Sequence, residues 1–244
     1  MANFKQTFPD TDLSFNMIHI EGGTFDMGST QFKDSQPIHT VALSEFWICD
    51  MLVTQAIWAY VMSNNPSHFK GINRPVDNIS WNNINDEKYG FLATLNRITE
   101  GLVYKNKTYR LPTETEWEYT ARSGKHSSKY NFKYPSSNKL NSVGWYGENS
   151  HDETKPLGLK IPNLLGIYDL SGNVSEWCED QWHIDYKGAP INNLSWSDRK
   201  TDNLRIRRGG SYFNIEERCN LTFRNFSSAP TQKNRIGFRL ALSL

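Results

Sequence analysis

Residues 109–124 read YRLPTETEWEYTARSG. Pro112 leads into Thr113, and Glu116 follows three residues later. That spacing makes a capping box, in which the Thr113 hydroxyl accepts from the third amide and the Glu116 carboxylate reaches back to the cap. Trp117, Tyr119 and Ala121 follow before Gly124, so the stretch predicts a short helix with a defined start and stop. Its flanks are not helical. VYKNKTYRL (103–111) fits a hairpin turning at Asn106 and Lys107. From Lys125 to Pro162 the chain is polar, loop-like and rich in Ser, Asn and Lys. A stretch that long without periodicity is expected to be functional or pinned by ligands. A short capped helix between a strand and a long loop points to an α+β domain with few helices, several short strands and much ordered loop.

The rest of the chain extends this pattern. MIHIEGGTFDMGS (17–29) gives two short strands around Gly22 and Gly23. HTVALSEFWICD (39–50) alternates Val41, Leu43, Phe46 and Ile48 and is expected as one strand. Thr54 should cap a helix whose apolar face holds Ile57, Trp58 and Val61, stopped by Asn64, Asn65 and Pro66. Ser80 should cap another, in which Ile84, Tyr89, Phe91, Leu92, Leu95 and Ile98 keep helical spacing up to Gly101. LLGIYDLSGNVSEWCED (164–180) is dense in turn residues and aromatics, and 183–203 is a second loop region. LRIRRGGSYFN (204–214) and RIGFRLAL (235–242) read as strands. No internal repeat or break divides the chain. Residues 1–16 read as an N-terminal extension and 17–244 as one domain.

Composition narrows the function classes. Eight Trp and 13% aromatic residues predict an aromatic-rich core. A net charge of +1, from 27 basic and 26 acidic residues, gives no case for nucleic acid or an acidic membrane. No apolar run is long enough to span a bilayer. The N-terminus lacks the charged and apolar regions of a signal peptide, so a cytoplasmic location is the expectation. Cys49, Cys178 and Cys219 are widely spaced and make no CxxC, which argues against a disulfide framework or structural zinc. None of the six histidines lies three or four residues from another, so a histidine iron site is not expected. No GxSxG elbow is present.

Taken together, GGTFDMGS, VTQAIW, RPVDNISW, YRLPTETEWEYTARSG, NLLGIYDLSGNVSEWCED, RRGGSY and IGFRLAL resemble the formylglycine-generating enzyme / sulfatase-modifying factor family. The matching segments span residues 17–242. The resemblance implies a C-type-lectin-like fold with little regular secondary structure. It leaves function open, because the family includes copper oxidases of peptidyl cysteine, iron enzymes and non-enzymatic receptors diversified by retroelements.

The resemblance carries several site expectations. The copper enzymes place two cysteines five and ten residues beyond the first Gly of GGS. Here those positions are Asn214 and Cys219, and a carboxamide is a poor Cu(I) ligand. Under the oxidase alternative, Cys219 would be the surviving metal ligand and Ser211 would lie beside the oxygen pocket. A calcium site maps to Asp169, Gly172, Val174 and Glu176, since calcium wants hard oxygens and a Gly-Asn turn can aim carbonyls inward. Arg110, Arg122, Arg207, Arg208 and Arg239 are expected to fix loops by pairing with carboxylates such as Glu116 and Glu118. The leading reading is a binding protein with a protein or peptide partner. Its pocket is expected from Ser175, Tyr212, Phe213, Asn214, Ile215, Arg218, Asn220, Phe226, Asn234 and Arg235, aromatic anchors set among adaptable polar residues. The diversified receptors cannot readily encode Glu, Gln or Lys at variable positions. Glu216, Glu217, Gln232 and Lys233 would then be fixed positions or count against a diversified receptor.

Overall fold

The structure is a computed structural model. It describes residues 1–102, 107–129, 131–198 and 203–243. In chain order the N-terminal part forms β1 (Phe4–Thr7), β2 (Ser14–Ile20), β3 (Gly23–Met27), β4 (His39–Leu43) and β5 (Phe46–Cys49). Helices α1 (Gln55–Met62), α2 (Trp81–Asn85) and α3 (Phe91–Ile98) follow, then β6 (Tyr109–Arg110), α4 (Glu114–Ala121) and α5 (Leu140–Val143). The remainder contributes β7 (Gly144–Trp145), β8 (Ser171–Gly172), β9 (Ser175–Gln181), β10 (Leu204–Arg208), β11 (Arg224–Ser228), β12 (Ile236–Gly237) and β13 (Ala241–Ser243).

Two sheets organise the molecule. One runs β1-β2-β5-β13-β6 and the other β11-β10-β9-β12, with β3-β4 and β7-β8 as separate pairs. β5 is central in the first sheet and is buried on both faces. Trp47 and Cys49 enter one core with Trp58, Phe91, Phe238 and Leu242. Phe46 and Ile48 enter the other with Phe25, Val41, Trp117 and Ile206. The cores are aromatic, as the composition predicted: Trp58 stacks on Phe91 at 5.1 Å, and Phe238 meets Phe91 edge-on.

The capping signals translate directly. The hydroxyls of Thr54, Ser80 and Thr113 accept from the amides of Ile57, Asn83 and Glu116. The Thr113 box closes, because the Glu116 carboxylate accepts the Thr113 amide at 3.0 Å.

Three expectations need correction. HTVALSEFWICD is two strands in different sheets, broken at Ser44 and Glu45, because β4 pairs with β3 while β5 joins β2 and β13. The helix expected beyond Ser80 is two helices. Gly90 caps α3 where any side chain would meet the Asp86 carbonyl at 2.5 Å, and Tyr89 is 69% exposed rather than on an apolar face. The terminal run RIGFRLAL splits into β12 and β13, one in each sheet. Of the hairpin expected over 103–111, residues 103–106 lie outside the described residues, and β6 pairs with β13. Residues 4–7 form β1 and pair with β2.

Helix α4 shows no apolar stripe because it is buried all round, carboxylates included. Those carboxylates are neutralised by arginines arriving from other elements, since a buried charge without a partner is costly. Glu114 and Glu118 pair with Arg208 at 2.9 and 2.7 Å, Glu114 also holds Arg224, and Glu118 holds Arg122. Glu116 pairs with Arg110, and Glu176 on β9 with Arg239. Burial pushes the Glu114 carboxyl up, but Arg224 and Arg208 outweigh it and hold it below its ordinary range.

Candidate functional site

The segment after β10 begins with Gly209 and Gly210, both at positive φ (86° and 71°). Glycine is required at the second: a Cβ on Gly210 would lie 2.6 Å from the Arg218 carbonyl and 2.7 Å from the Cys219 sulfur. The Gly-Gly turn therefore lies flat against the 3-10 turn Glu216–Cys219. Backbone bonds fix the intervening residues. The Tyr212 amide donates to the Asn173 carbonyl, Asn214 to Ser211, and Gly147 to Asn214. The Ser150 hydroxyl donates to the Tyr212 carbonyl at 2.9 Å, and Ser171 to Cys219 at 2.7 Å. The Tyr134 hydroxyl donates to Glu216 at 2.8 Å.

A groove of about 400 Å³ opens on this platform. Phe213, Asn214, Ile215, Arg218 and Arg235 line it, five of the ten residues expected in a pocket, together with Arg207 and Asn225. Phe213 and Ile215 are 57% and 63% exposed. The Arg235 guanidinium lies over the Phe213 ring at 5.3 Å. The other five go elsewhere. Ser175 and Tyr212 are buried: the Ser175 amide donates to the Arg235 carbonyl, and Tyr212 packs edge-on to Phe69. Asn220 lines a separate cavity of about 820 Å³ beside Gln31 and Arg122. Asn234 lines a cleft of about 640 Å³ beside His68, which shares Arg235 with the groove. Phe226 is 40% exposed and stacks on Trp182 at 4.5 Å.

Arg207 was expected to pair with a carboxylate. It does not. It is only 6% exposed, yet its partners are neutral: Nη2 donates to Asn225 Oδ1 at 3.3 Å and to the Phe226 carbonyl at 2.9 Å. Its Nε is buried without a hydrogen-bond partner. Burial, then the nearby Arg235, pull its pKa down to about 10. Sequence alone gave no signal that Arg207 and Arg208 would differ, beyond the rule that neighbours on a strand face opposite ways.

The copper residues do not fit copper. Cys219 packs with Tyr134, Leu140, Val143 and Tyr146, and burial pushes its thiol up to about 12, so the thiolate is disfavoured. Asn214 accepts from the Ser211 hydroxyl at 2.8 Å. Cys49 and Cys178 are buried in the two other cores, so no second thiol stands beside Cys219.

The calcium set closes on protein groups. Both Glu176 oxygens accept from Arg239, at 2.6 and 2.9 Å. Asp169 is buried, which raises its pKa, and accepts from the Gly158 amide at 2.9 Å and from Asn173 at 3.4 Å. Asn173 itself exchanges hydrogen bonds with the Lys155 backbone. Both side-chain members of the set thus have protein partners, Glu176 in Arg239 and Asp169 in Gly158 and Asn173. Among the described residues no group of three or more His, Cys, Asp or Glu is placed to hold a metal ion, and no helix is long and apolar enough to cross a membrane.

The fold has counterparts. Treponema denticola variable protein 1 superposes with a TM-score of 0.86 at 28% identity, covering 100% of both chains. PvdO from Pseudomonas aeruginosa superposes at 0.80 with 26% identity, covering 94% of each. The chain is 32% identical over 242 residues to the chaperone protein LppX of Paenibacillus barcinonensis, covering 79% of this chain and 84% of that one. It is also 32% identical over 151 residues to the formylglycine-generating enzyme of Thermomonospora curvata, covering 54% of this chain and 48% of that enzyme. The architecture is thus the C-type-lectin-like α+β fold of the formylglycine-generating-enzyme type. Residues 4–244 match the Sulfatase-modifying factor enzyme 1-like domain, and the chain belongs to that family.

Proposed function

We propose that this chain is a binding protein that seats a protein or peptide partner on the groove and on its apolar rim. One observation carries the reading: Phe213 and Ile215, both more than half exposed, stand on a turn whose backbone is tied to Asn173, Ser211 and Gly147. Rigid aromatic and apolar anchors beside arginines on a fixed backbone are the usual makings of a recognition surface. Holding the backbone fixed in advance also lowers the ordering cost of association.

Two relatives support it by name, one a variable protein matched along its whole length and one a chaperone protein. A diversified receptor needs its Glu and Gln positions fixed. Here Glu216 accepts from Tyr134, and Gln232 donates to Asn83 at 2.8 Å, so both are tied to the framework. The oxidase alternative lacks support, because Cys219 is sealed and Asn214 occupies the other thiolate position. A Cu(I) competition titration is expected to give the same weak binding for the parent protein and for Cys219→Ser.

The direct test is to pan a displayed peptide library on the full chain and on Phe213→Ala/Ile215→Ser. Sequences enriched by the parent and lost with the double variant, whose thermal unfolding stays unchanged, support the reading. Enrichment equal on both proteins sends the function elsewhere, with the cavity beside Arg122 the next place to test.

A further inference from the structure

Arginine is common in this chain, and nearly every buried one has its carboxylate. Arg208, Arg224 and Arg239 are fully buried and pair at 2.6–2.9 Å. The groove breaks that rule. Arg207, Arg218 and Arg235 all line it, no carboxylate residue does, and among the described residues none of the three makes an ion pair. Arg207 is the decisive member: nine-tenths buried, with an Nε–H that meets no acceptor. A buried donor left unsatisfied is destabilising, the more so on a charged group, which makes the groove the place to look for what completes Arg207.

We propose that the groove captures the carboxylate of an Asp or Glu side chain on the partner peptide. Arg207 meets it at depth, Arg218 and Arg235 flank it, and apolar residues next to it rest on Phe213 and Ile215. This rests on the binding-surface reading and names the chemistry that surface selects. The incoming carboxylate does for Arg207 what Glu114 already does for Arg208. Planar guanidinium and planar carboxylate match in a bidentate fork, and the pairing is strengthened where water is excluded. Asn225 and Asn214, also in the lining, offer amide donors to an oxygen that Arg207 does not reach. Phe213 is held under Arg235, so the apolar and charged halves of the site are preassembled.

The test uses the full chain labelled with ¹⁵N-arginine and three capped tripeptides: Leu-Glu-Leu, Leu-Gln-Leu and Leu-phosphoserine-Leu. The expected result is a saturable shift of the Arg207 Nε–H resonance with the Glu peptide and at least about tenfold weaker binding of the Gln twin. Arg218→Glu reverses an exposed charge without touching the core, and should weaken the Glu peptide several-fold more than the Gln twin. Arg207→Met should abolish the discrimination between the twins. Equal binding of the Glu and Gln peptides, with both lost in Phe213→Ala, would overturn the carboxylate inference and leave the binding surface standing. No binding of any peptide, together with no enrichment in library panning, would remove both. Tighter binding of the phosphoserine peptide than the Glu peptide would overturn the carboxylate assignment in favour of phosphate.

Discussion

Arg207 and Arg208 are neighbours on β10 and meet opposite fates. The strand turns them to opposite faces of its sheet. Arg208 faces α4 and finds two carboxylates and the Leu221 carbonyl, with the Trp117 ring 5.0 Å away. Arg207 faces the groove and finds an asparagine, a backbone carbonyl, the Trp177 ring 5.8 Å away and another arginine nearby, but no carboxylate. One side of the strand is a closed electrostatic framework and the other is an open one. Burial alone therefore does not reveal what a charge is for. Arg208 is held between carboxylates, whereas Arg207 is also buried and holds only neutral groups.

The comparison is broken most severely by removing the carboxylate shared on the closed side. Glu114→Gln leaves Arg224 without its ion pair and Arg208 with only Glu118. The expected loss is about 3–5 kcal/mol in urea unfolding, the usual cost of uncompensating a buried charge. A loss below about 1 kcal/mol would mean that the framework is not what holds α4 to β10 and β11.

Gly210→Ala attacks the platform that joins the two sides. The side chain would have to occupy space within 3 Å of the Arg218 carbonyl and the Cys219 sulfur, at a backbone φ of 71°. About 2–3 kcal/mol of destabilisation is expected from strain and displacement of the 3-10 turn. Partner binding should fall with it, measured on protein still folded at low temperature.

Arg207→Met supplies the matching change on the open side. Removing an uncompensated buried cation should cost little, because the penalty of burying it offsets the two neutral hydrogen bonds it makes. Stability within about 1 kcal/mol of the parent is expected. A loss as large as that of Glu114→Gln would show that Arg207 is structural, and the contrast between the neighbours would collapse.

Much of the fold was legible because its signals are local. Caps at Thr54, Ser80 and Thr113 need only a hydroxyl, a spacing and an apolar run, and all three form. What failed was set by tertiary pairing. Within HTVALSEFWICD the apolar phase slips from odd to even positions at Ser44 and Glu45, but such a slip fits a bulge in one strand as well as a break, and it does not say which sheet each half joins. The site divides the same way. The groove segment was locatable between two framework motifs, and Phe213, Asn214, Ile215, Arg218 and Arg235 do converge. Ser175 and Tyr212 look like binding residues by type, yet the fold buries them. Arg207 read as structural because a motif shows which residues are adjacent, not which faces are already neutralised.

The calcium loop gives the smallest expected effect. Its closure competes between two devices, a divalent ion and the Arg239–Glu176 pair. Arg239 holds both Glu176 oxygens and also donates to the carbonyls of Cys49 and Tyr168, so it bridges β9, β5 and the loop before β8 without a metal. Asp169 is tied to Gly158 and Asn173 in the same loop. If these groups suffice, the melting temperature in excess chelator should match that in millimolar calcium to within about 1 °C. An ion bound only by the folded state at a hundred times its dissociation constant would add about 2.7 kcal/mol. For a chain of this size that corresponds to a shift of roughly 5–10 °C. A shift of that size, abolished in Asp169→Asn, would place calcium in the loop and make Arg239 a partner of the metal site rather than its substitute.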